Sequence, residues 1–545
     1  MTPGSRTLAR EVARRRTFAI ISHPDAGKTT LTERLLLLGG AVREAGAVRA
    51  RKANRHATSD WLELERQRGI SVSSSVLHFE HAGRRVNILD TPGHRDFSED
   101  TFRTLCAADS AVMVIDAAKG VEAQTRKLFE VCRLRGIPIF TFVNKMDRPG
   151  RDPLDLLDEL EEVLGIEGIP ITWPAGEPGD FRGLYDRLGE RALVFGRRGE
   201  ADEETVLASR PDDPALVERL GRAAGPLRES LGLLDGAGAR FDREAVRAGR
   251  QTPVFFGSAL GGRGVPVFLE HFLALAPAPR PRPSDRGPID PAKEAFSGFV
   301  FKIQANMDPD HRDRVAFVRI CSGRFERGGF AVHAQSGKRL RLSRSTLLQA
   351  GERAEVHEAW PGDVVALFDP GLFRIGDTVS ETGSFRYAPL PTFAPERFVQ
   401  VELGEVRNRK ALAKGLEQLS QEGVVQLFRE PGGGLDVVLG AVGPLQLDVL
   451  RHRLEHEYRV DLRLRPLPFE VACWPKPPFD PETFRWADTA RVLEDREGRH
   501  VVLLKSAWYL ERLQQDRPEL GLSSRPPDAG ETSWALGAEE AAEQG

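Results

Sequence analysis

Up to about residue 275 the chain repeats one pattern of hydrophobic and polar positions. Short apolar runs rich in β-branched and aromatic residues recur as "FAII" at 18–21, "VNILD" at 86–90, "AVMVID" at 111–116, "PIFTFVNK" at 138–145 and "PVFFGS" at 253–258. Between them lie longer stretches with apolar residues at helical spacing, such as "TTLTERLLLL" behind the first run. Strands with little alternation are buried on both faces, and strands alternating with helices predict a mostly parallel, doubly wound sheet.

Beyond residue 295 the texture changes. "FSGFVFKIQ" and "DRVAFVRICSGRFERGGF" read as short alternating strands with glycine turns, which predicts a β-barrel. Between 396 and 465 a helical stretch, "RKALAKGLEQLSQEG", lies among strands, as in a small α+β domain. Two proline-rich stretches punctuate this order. "APAPRPRPSDRGPIDP" at 276–291 can continue neither a helix nor a central strand and reads as a linker, and "PLPTFAP" at 389–395 is a softer boundary. The expected plan is an α/β domain at 1–280 with an insertion at about 165–250, a barrel at 281–390 and an α+β domain at 391–520. Residues 521–545 carry little to bury and are expected to be disordered. A length of 545 residues suits about three domains.

Composition narrows the class. Apolar residues make up 40% and charged residues 29%, the balance of an ordinary soluble protein. No apolar run approaches the roughly 20 residues that cross a bilayer. The basic start (Arg10, Arg14, Arg15, Arg16) precedes a four-residue apolar stretch, too short for a secretory leader, so a cytoplasmic protein without membrane contact is expected. Cys106, Cys132, Cys321 and Cys473 are widely spaced and predict neither a disulfide framework nor a zinc site. The 80 acidic and 77 basic residues nearly cancel, so net charge gives no reason to expect nucleic acid. Basic clusters at 311–319, 408–414 and 451–459 read as solvated faces. No coiled-coil pattern or apolar seam is visible, and a monomer is expected.

The candidate chemistry sits at strand ends. Ser22, His23, Pro24, Asp25, Ala26, Gly27, Lys28 and Thr29, with Thr30 in the helix behind them, fit a phosphate-binding loop in which Ser22 replaces the usual first glycine. A phosphate tail needs converging backbone N–H groups, which a small-residue turn into a helix N-terminus supplies. Lys28 would bridge the β- and γ-phosphates and Thr29 would set its hydroxyl on Mg²⁺. A strand–turn–helix corner that binds nothing is the plain alternative. The strand before and the helix behind favour the phosphate reading.

A second piece, "LDTPGHRDF" at 89–97, ends another strand. Asp90 can reach the metal through a water. Thr91 and Pro92 lead to Gly93, whose N–H can approach a γ-phosphate because no side chain intervenes, and His94 could orient a water for in-line attack. The third piece is "NKMD", Asn144, Lys145, Met146 and Asp147. A carboxylate such as that of Asp147 accepts two parallel N–H donors, the pattern on the N1/N2 edge of guanine and absent from adenine. A site whose buried acceptors go unpaired rejects the wrong base by roughly 10⁴-fold. Asn144 can tie loops together, and the stem of Lys145 can lie along the base. The fourth, "GSAL" at 257–260, would present backbone N–H groups around Ser258, Ala259 and Leu260 to the guanine O6. "NKMD" and "GSAL" are each weak alone. Four pieces in this order, each at a strand end, point to GTP as the ligand.

"ERQRGIS" at 65–71 lies between the first two pieces. Ser71 could add a metal-bound hydroxyl and Ile70 an apolar lid, as in a segment ordered by the γ-phosphate. Taken alone, it reads better as an exposed helix end capped by glycine.

"RGIS", "DTPGH" and "NKMD" together resemble the translational GTPases, the group containing elongation factors Tu and G. Longer stretches, "RRTFAIISHPDAGKTTLTE", "SDWLELERQRGIS", "DTPGHRDFSEDTFRTL", "VIDAAKGVEAQTRKL", "GFVFKIQANMDPDHRDRVAF" and "LSQEGVVQLFR", resemble its bacterial class II release factor branch, Ser22 included. The likeness runs from about residue 14 to about 465 and fades after "YRVDLRL". The resemblance implies a P-loop GTPase domain followed by a β-barrel and a small α+β domain. It further implies a ribosome-dependent GTPase, touching ribosomal RNA and proteins, that promotes dissociation and recycling of stop-codon-reading release factors after peptide release. On the matching positions, Lys28 and Thr29 hold phosphate and Mg²⁺ with Asp25 nearby, and Ser71 fills a switch position that elongation factors give to threonine. His94 orients the water between Pro24 and Ile70, set in place by ribosomal RNA, so turnover without the ribosome is expected to be slow. The basic clusters of the second and third domains gain weight as ribosome-facing surfaces. Arg95 departs from the acidic or small residue expected after the histidine.

The alternatives come from three classes. An elongation or ribosome-protection factor would carry two further domains behind the third, and too few residues follow 465 to build both. A GTP-dependent binding switch with incidental hydrolysis shares the same loops, and His94 argues for hydrolysis. An ATP-using P-loop enzyme is disfavoured by "NKMD".

Overall fold

The computed structural model describes residues 3–524 except 42–73, 93–94, 178, 197–203, 208–209, 239, 293–294, 306–313, 343–344, 350–351, 391–392, 404–407, 433–436, 482–483 and 485–488. The first sheet is built from β1 (Arg15–Ser22), β2 (Ser75–His81), β3 (Arg84–Asp90), β4 (Ser110–Asp116), β5 (Ile139–Asn144) and β6 (Glu167–Pro170). A small antiparallel sheet follows, of β7 (Thr172–Ala175), β8 (Gly183–Asp186), β9 (Arg191–Phe195) and β10 (Glu204–Leu207), before β11 (Gln251–Phe256) returns to the first. The seven strands run in the order β2-β3-β1-β4-β5-β11-β6, parallel except for the edge strand β2. Every residue of β1, β4, β5 and β11 is buried, which is why these runs show no alternation.

Side chains of β1 divide between the two faces. Phe18 and Ile20 pack with Leu31, Leu35, Phe268 and Phe272 from the helices Lys28–Leu38 and Val265–Leu275. Ala19 and Ile21 pack with Leu105 and Phe129 from the helices Ser98–Cys106 and Ala123–Leu134. The insertion differs in extent from the 165–250 expected. β6 already pairs with β11 in the main sheet, and the inserted unit is the β7–β10 sheet with the helices Pro214–Leu220, Ala224–Gly236 and Arg243–Arg247.

The second unit is an eight-stranded antiparallel sheet that begins with β12 (Ser297–Ala305) and closes over Val300, Val318, Phe325 and Val365. The proline-rich stretch before it is pinned. Arg282 lies 3.5 Å from the Phe299 ring centroid, donates to the Cys106 carbonyl at 2.8 Å, and exchanges backbone bonds with Ile289. The third unit is a seven-stranded antiparallel sheet between Arg397 and Leu504, with the helices Arg409–Gln421 and Pro444–Tyr458. Its last three strands, Val471–Cys473, Ala490–Glu494 and His500–Leu504, lie beyond residue 465 and are integral to the sheet. The tail from residue 525 lies outside the described residues. Among the described residues no helix is long and apolar enough to cross a membrane.

The basic clusters differ from the solvated faces expected. Arg319 is buried and pairs with Asp109 of the first domain at 2.6 Å, and Arg314 is buried against Asp369 at 2.6 Å. Arg453 is buried between Glu422 and Glu457, at 2.7 and 2.6 Å. Each guanidinium is desolvated at a cost offset by carboxylates, some from distant segments, which a local charge count does not contain. Arg409, Lys410 and Lys414 do face solvent. The arginine-rich start is likewise structural: Pro3–Arg14 is a helix, and Arg15 and Arg16 behind it are buried.

Candidate functional site

The loop between β1 and the helix Lys28–Leu38 turns on two positive-φ residues, Asp25 (68°) and Gly27 (102°). At Gly27 a Cβ would fall 2.2 Å from the Asn144 side-chain nitrogen, so both conformation and space require glycine. Gly27 offers no side-chain cap, and the first-turn N–H groups of the helix carry the partial positive charge that favours a bound anion.

Lys28 enters the corner from this first turn. Its Nζ donates to Asp90 Oδ1 at 2.5 Å, and both side chains are buried. Asp90 is the last residue of β3 and stands beside Ile20 in the parallel register, while Thr91 Oγ1 donates to the Ile20 carbonyl at 2.7 Å. Lysine and aspartate thus meet because the loop leaving the tip of β1 starts its helix beside the tip of β3. Ser22 is buried with its hydroxyl on the His23 carbonyl, and His23 Nε2 lies 3.2 Å from Glu122. Thr29 is exposed and Thr30 and Pro24 are half-buried.

Asn144, at the end of β5, joins two loops. Its Nδ2 donates to the Ala26 carbonyl at 2.8 Å and its Oδ1 accepts the Ala259 N–H at 2.9 Å. Lys145, at φ 69°, donates to the Asp25 carbonyl at 2.6 Å and to Asp116 Oδ2 at 2.7 Å. Burial pushes the Asp116 carboxyl up, but Lys145, the Ala118 N–H and Lys119 outweigh it and hold the group below its ordinary range. Met146 points away into the core, fully buried, while Asp147 is half-buried at the mouth.

The 257–260 loop corrects an expectation. The Ser258 N–H is already given to the Arg263 carbonyl at 2.9 Å, and that of Ala259 to Asn144, so neither is available for a base. The Leu260 N–H has no protein partner among the described residues. Arg34 fixes this turn from the phosphate-loop helix, with Nε on the Ala259 carbonyl at 3.1 Å and Nη2 on that of Leu260 at 2.5 Å. Sequence reasoning missed Arg34 and Asp116. Each acts on another loop's backbone or side chain, and no local pattern marks it. Ser71, Gly93 and His94 lie outside the described residues.

Comparison with known proteins meets this geometry from outside. The GTP-binding domain of elongation factor Tu matches residues 13–278, domain 2 of elongation factor G matches 295–382, and the C-terminal domain of class II release factor RF3 matches 387–514. Proteins named peptide chain release factor 3 from Gloeobacter violaceus and Symbiobacterium thermophilum are each 52% identical over 519 residues, 94% of this chain and 98% of theirs. The chain belongs to the peptide chain release factor 3 family. It is a translational GTPase of the class II release factor type, with a P-loop domain followed by a β-barrel and a C-terminal α+β domain. One from Synechocystis is 50% identical over 526 residues, 95% of each chain. A crystal structure of a Thermus thermophilus protein superposes with TM-score 0.66 at 26% identity, covering 90% of this chain and 72% of that one. The family likeness does not fade near residue 465, since the C-terminal match continues to 514, over the strands that complete the third sheet.

The residues at the corner suit a magnesium nucleotide. A buried carboxylate (Asp90) and an open hydroxyl (Thr29) are the hard oxygen donors that Mg²⁺ takes alongside phosphate, and Lys28 is the cation they would share a phosphate tail with.

Proposed function

We propose that this chain is a ribosome-dependent GTPase that promotes dissociation of stop-codon-reading release factors after peptide release and so recycles them. The observation that carries the proposal is the near-full-length identity, about half of all positions, to chains named peptide chain release factor 3. In this reading the loop from Ser22 to Thr30 wraps the phosphates of GTP, with Lys28 on the β- and γ-oxygens. Thr29, Ser71 and Asp90 would hold Mg²⁺, which supplies charge neutralisation on the phosphates. Thr91, Pro92 and Gly93 follow the γ-phosphate, and Asp147 takes the guanine N1/N2 edge. Asn144, Lys145 and Met146 build that pocket rather than read the base. Leu260 is the donor for O6, in place of Ser258 and Ala259.

His94 orients the attacking water in this reading, and the ribosome supplies its productive placement. Binding energy then appears as rate only where the termination complex is present. The division proposed for the chain is a GTP-binding domain to about residue 280, a barrel to about 390 and a third domain to about 520, working as a monomer against ribosomal RNA and protein.

The test is multiple-turnover peptide release from ribosomes halted at a stop codon, with a limiting amount of a stop-codon-reading factor. Addition of this protein and GTP is expected to raise the turnover rate, and Lys28→Ala and His94→Ala are each expected to abolish the gain. Unchanged turnover with GTP hydrolysis still stimulated by ribosomes would keep the enzyme and overturn the recycling role.

A further inference from the structure

Asp96 stands two positions beyond His94 and reaches out of the first domain. Its Oδ2 accepts the backbone N–H of Leu445 at 2.8 Å, a buried bond between residues 349 positions apart. The helix Pro444–Tyr458 explains why the bond exists. Pro444 has no N–H, so Leu445 carries the first donor of the helix that needs a partner. Gln446, whose side chain turns back to the N–H groups of Val442 at 2.7 Å and Gly443 at 3.4 Å, leaves that donor to an acceptor from elsewhere. Asp96 provides it, and its negative charge suits the positive end of the helix.

Gly443 makes room for this contact. Its backbone is extended (φ −148°), open to any residue, yet a Cβ there would lie 2.1 Å from the carboxylate carbon of Asp96. Phe97 extends the junction in a small buried cluster with Leu445 and Val449. One turn on, the Glu99 carboxylate accepts the Phe393 N–H and the Phe102 ring meets that of Phe393 edge-on at 5.3 Å. The segment just after His94 is thus held by the third domain at successive positions.

We propose that Asp96 is a positioning residue for GTP hydrolysis: its bond to the Leu445 N–H clamps the segment that carries His94 to the third domain, so that the placement of that domain sets whether His94 is held for attack. The proposal rests on the reading of His94 as the water-orienting residue. A third domain displaced on the ribosome would pull directly on this segment, and a misplacement of about 1 Å at a reacting group can cost a hundredfold in rate.

The experiment is ribosome-stimulated GTP hydrolysis by the full chain, with kcat separated from the KM for ribosomes and GDP affinity measured in parallel. Asp96→Ala and Gly443→Ala, made in different domains, are each expected to lower the stimulated kcat about tenfold or more while GDP affinity is kept. Asp96→Asn retains an acceptor for the Leu445 N–H and is expected to restore most of the rate. The double variant is expected to lose less than the two single losses combined, because both changes break the same Asp96–Leu445 contact. A wild-type stimulated kcat in Asp96→Ala, or fully additive losses in the double variant, overturns the proposal. His94→Ala separates the two readings. If it keeps stimulated hydrolysis, the role of His94 is wrong, whereas loss there beside a normal Asp96→Ala removes the clamp alone.

Discussion

Arg15, at the start of the first strand, and Asp363, in the barrel, face each other across the boundary between their domains with Nη2 and Oδ2 2.8 Å apart and side-chain exposures of 4% and 2%. Arg85 approaches the same carboxylate at 3.4 Å, and Glu11 closes on Arg15 at 2.7 Å. The neighbouring Gly362 carbonyl accepts from Thr17 at 2.7 Å and from Asn87 at 3.1 Å. A buried charge cluster of this kind is weak evidence of net stabilisation, yet removing one partner strands the rest. Its consequence is a fixed joint between the nucleotide domain and the barrel.

Asp363→Asn is expected to destabilise the protein by about 3 kcal/mol near neutral pH, because the buried Arg15 is left with Glu11 alone and the half-buried Arg85 loses its inner partner. The pH dependence follows from its carboxyl. Burial pushes that group up, but Arg15 and Arg85 overcome it and hold it below the ordinary range. With the folded value depressed, the stabilisation is fully present above the unfolded value of about 3.9 and is lost as pH falls below it. Thermal unfolding followed from about pH 4 downwards should show a steeper fall for the wild type than for the variant, and above that pH the two should run parallel. Slopes that stay parallel below it would mean that Asp363 does not carry this linkage.

Lys28→Ala tests the centre of the site in two ways. Without nucleotide it leaves Asp90 buried and unpaired, which is expected to cost about 3–5 kcal/mol. With nucleotide it removes the phosphate-facing cation, so added GDP or GTP should no longer raise the unfolding temperature, as a ligand bound to the folded state otherwise does. Calorimetric titration and thermal unfolding with and without GDP check both halves. Retained GDP stabilisation would remove Lys28 from the phosphate site.

The strands β1, β4, β5 and β11 were legible because each is buried on both faces and ends in a polar turn, as "FAII" before Ser22 and "PIFTFV" before Asn144 show, whereas the edge strand β2 and the short strands β6 to β10 carry no such run. The loops of the candidate site were legible for the same reason: they leave the tips of adjacent strands, which brings Lys28 at the helix start beside Asp90 without any pairing code. What was not legible depends on partners far away in sequence. Arg319 counted as surface charge until Asp109 was found 210 positions upstream, and Asp96 carries no local mark of Leu445. The backbone donors at 258 and 259 were misassigned because nothing in "GSAL" reveals that Arg263 and Asn144 take them first.

The proposed function gives base choice to Asp147, whose two oxygens would match the guanine N1/N2 donors. Asp147→Asn replaces one acceptor by a donor, a pattern that suits xanthine. The variant is expected to lose GDP affinity by about a hundredfold or more and to gain on xanthosine diphosphate. Competition binding with both nucleotides decides the matter. A variant that keeps its guanine preference contradicts the assignment.

Asn144 offers the sharpest test of how the loops are assembled. Its one amide satisfies the Ala26 carbonyl of the phosphate loop and the Ala259 N–H of the 257–260 loop, both buried. Asn144→Ala orphans both groups, each at a cost of about 1–3 kcal/mol, and frees two loops that must converge on one ligand. Asn144→Asp keeps the acceptor for Ala259 but turns a carboxylate towards the Ala26 carbonyl, so only one tie survives. GDP affinity should therefore fall in the order wild type, Asn144→Asp, Asn144→Ala, with dissociation faster at each step, because an ordered loop lost after binding shows in the off-rate. Gly27→Ala approaches the same contact from the other side, forcing a Cβ to 2.2 Å from the Asn144 nitrogen at a φ of 102°. It is expected to match Asn144→Ala in GDP dissociation rate, and the pair should be less than additive because they break a shared contact. Stopped-flow displacement of a fluorescent GDP analogue measures the wild type, the three single variants and the double variant. Wild-type dissociation in Asn144→Ala would show that the two loops hold the nucleotide independently of the tie between them.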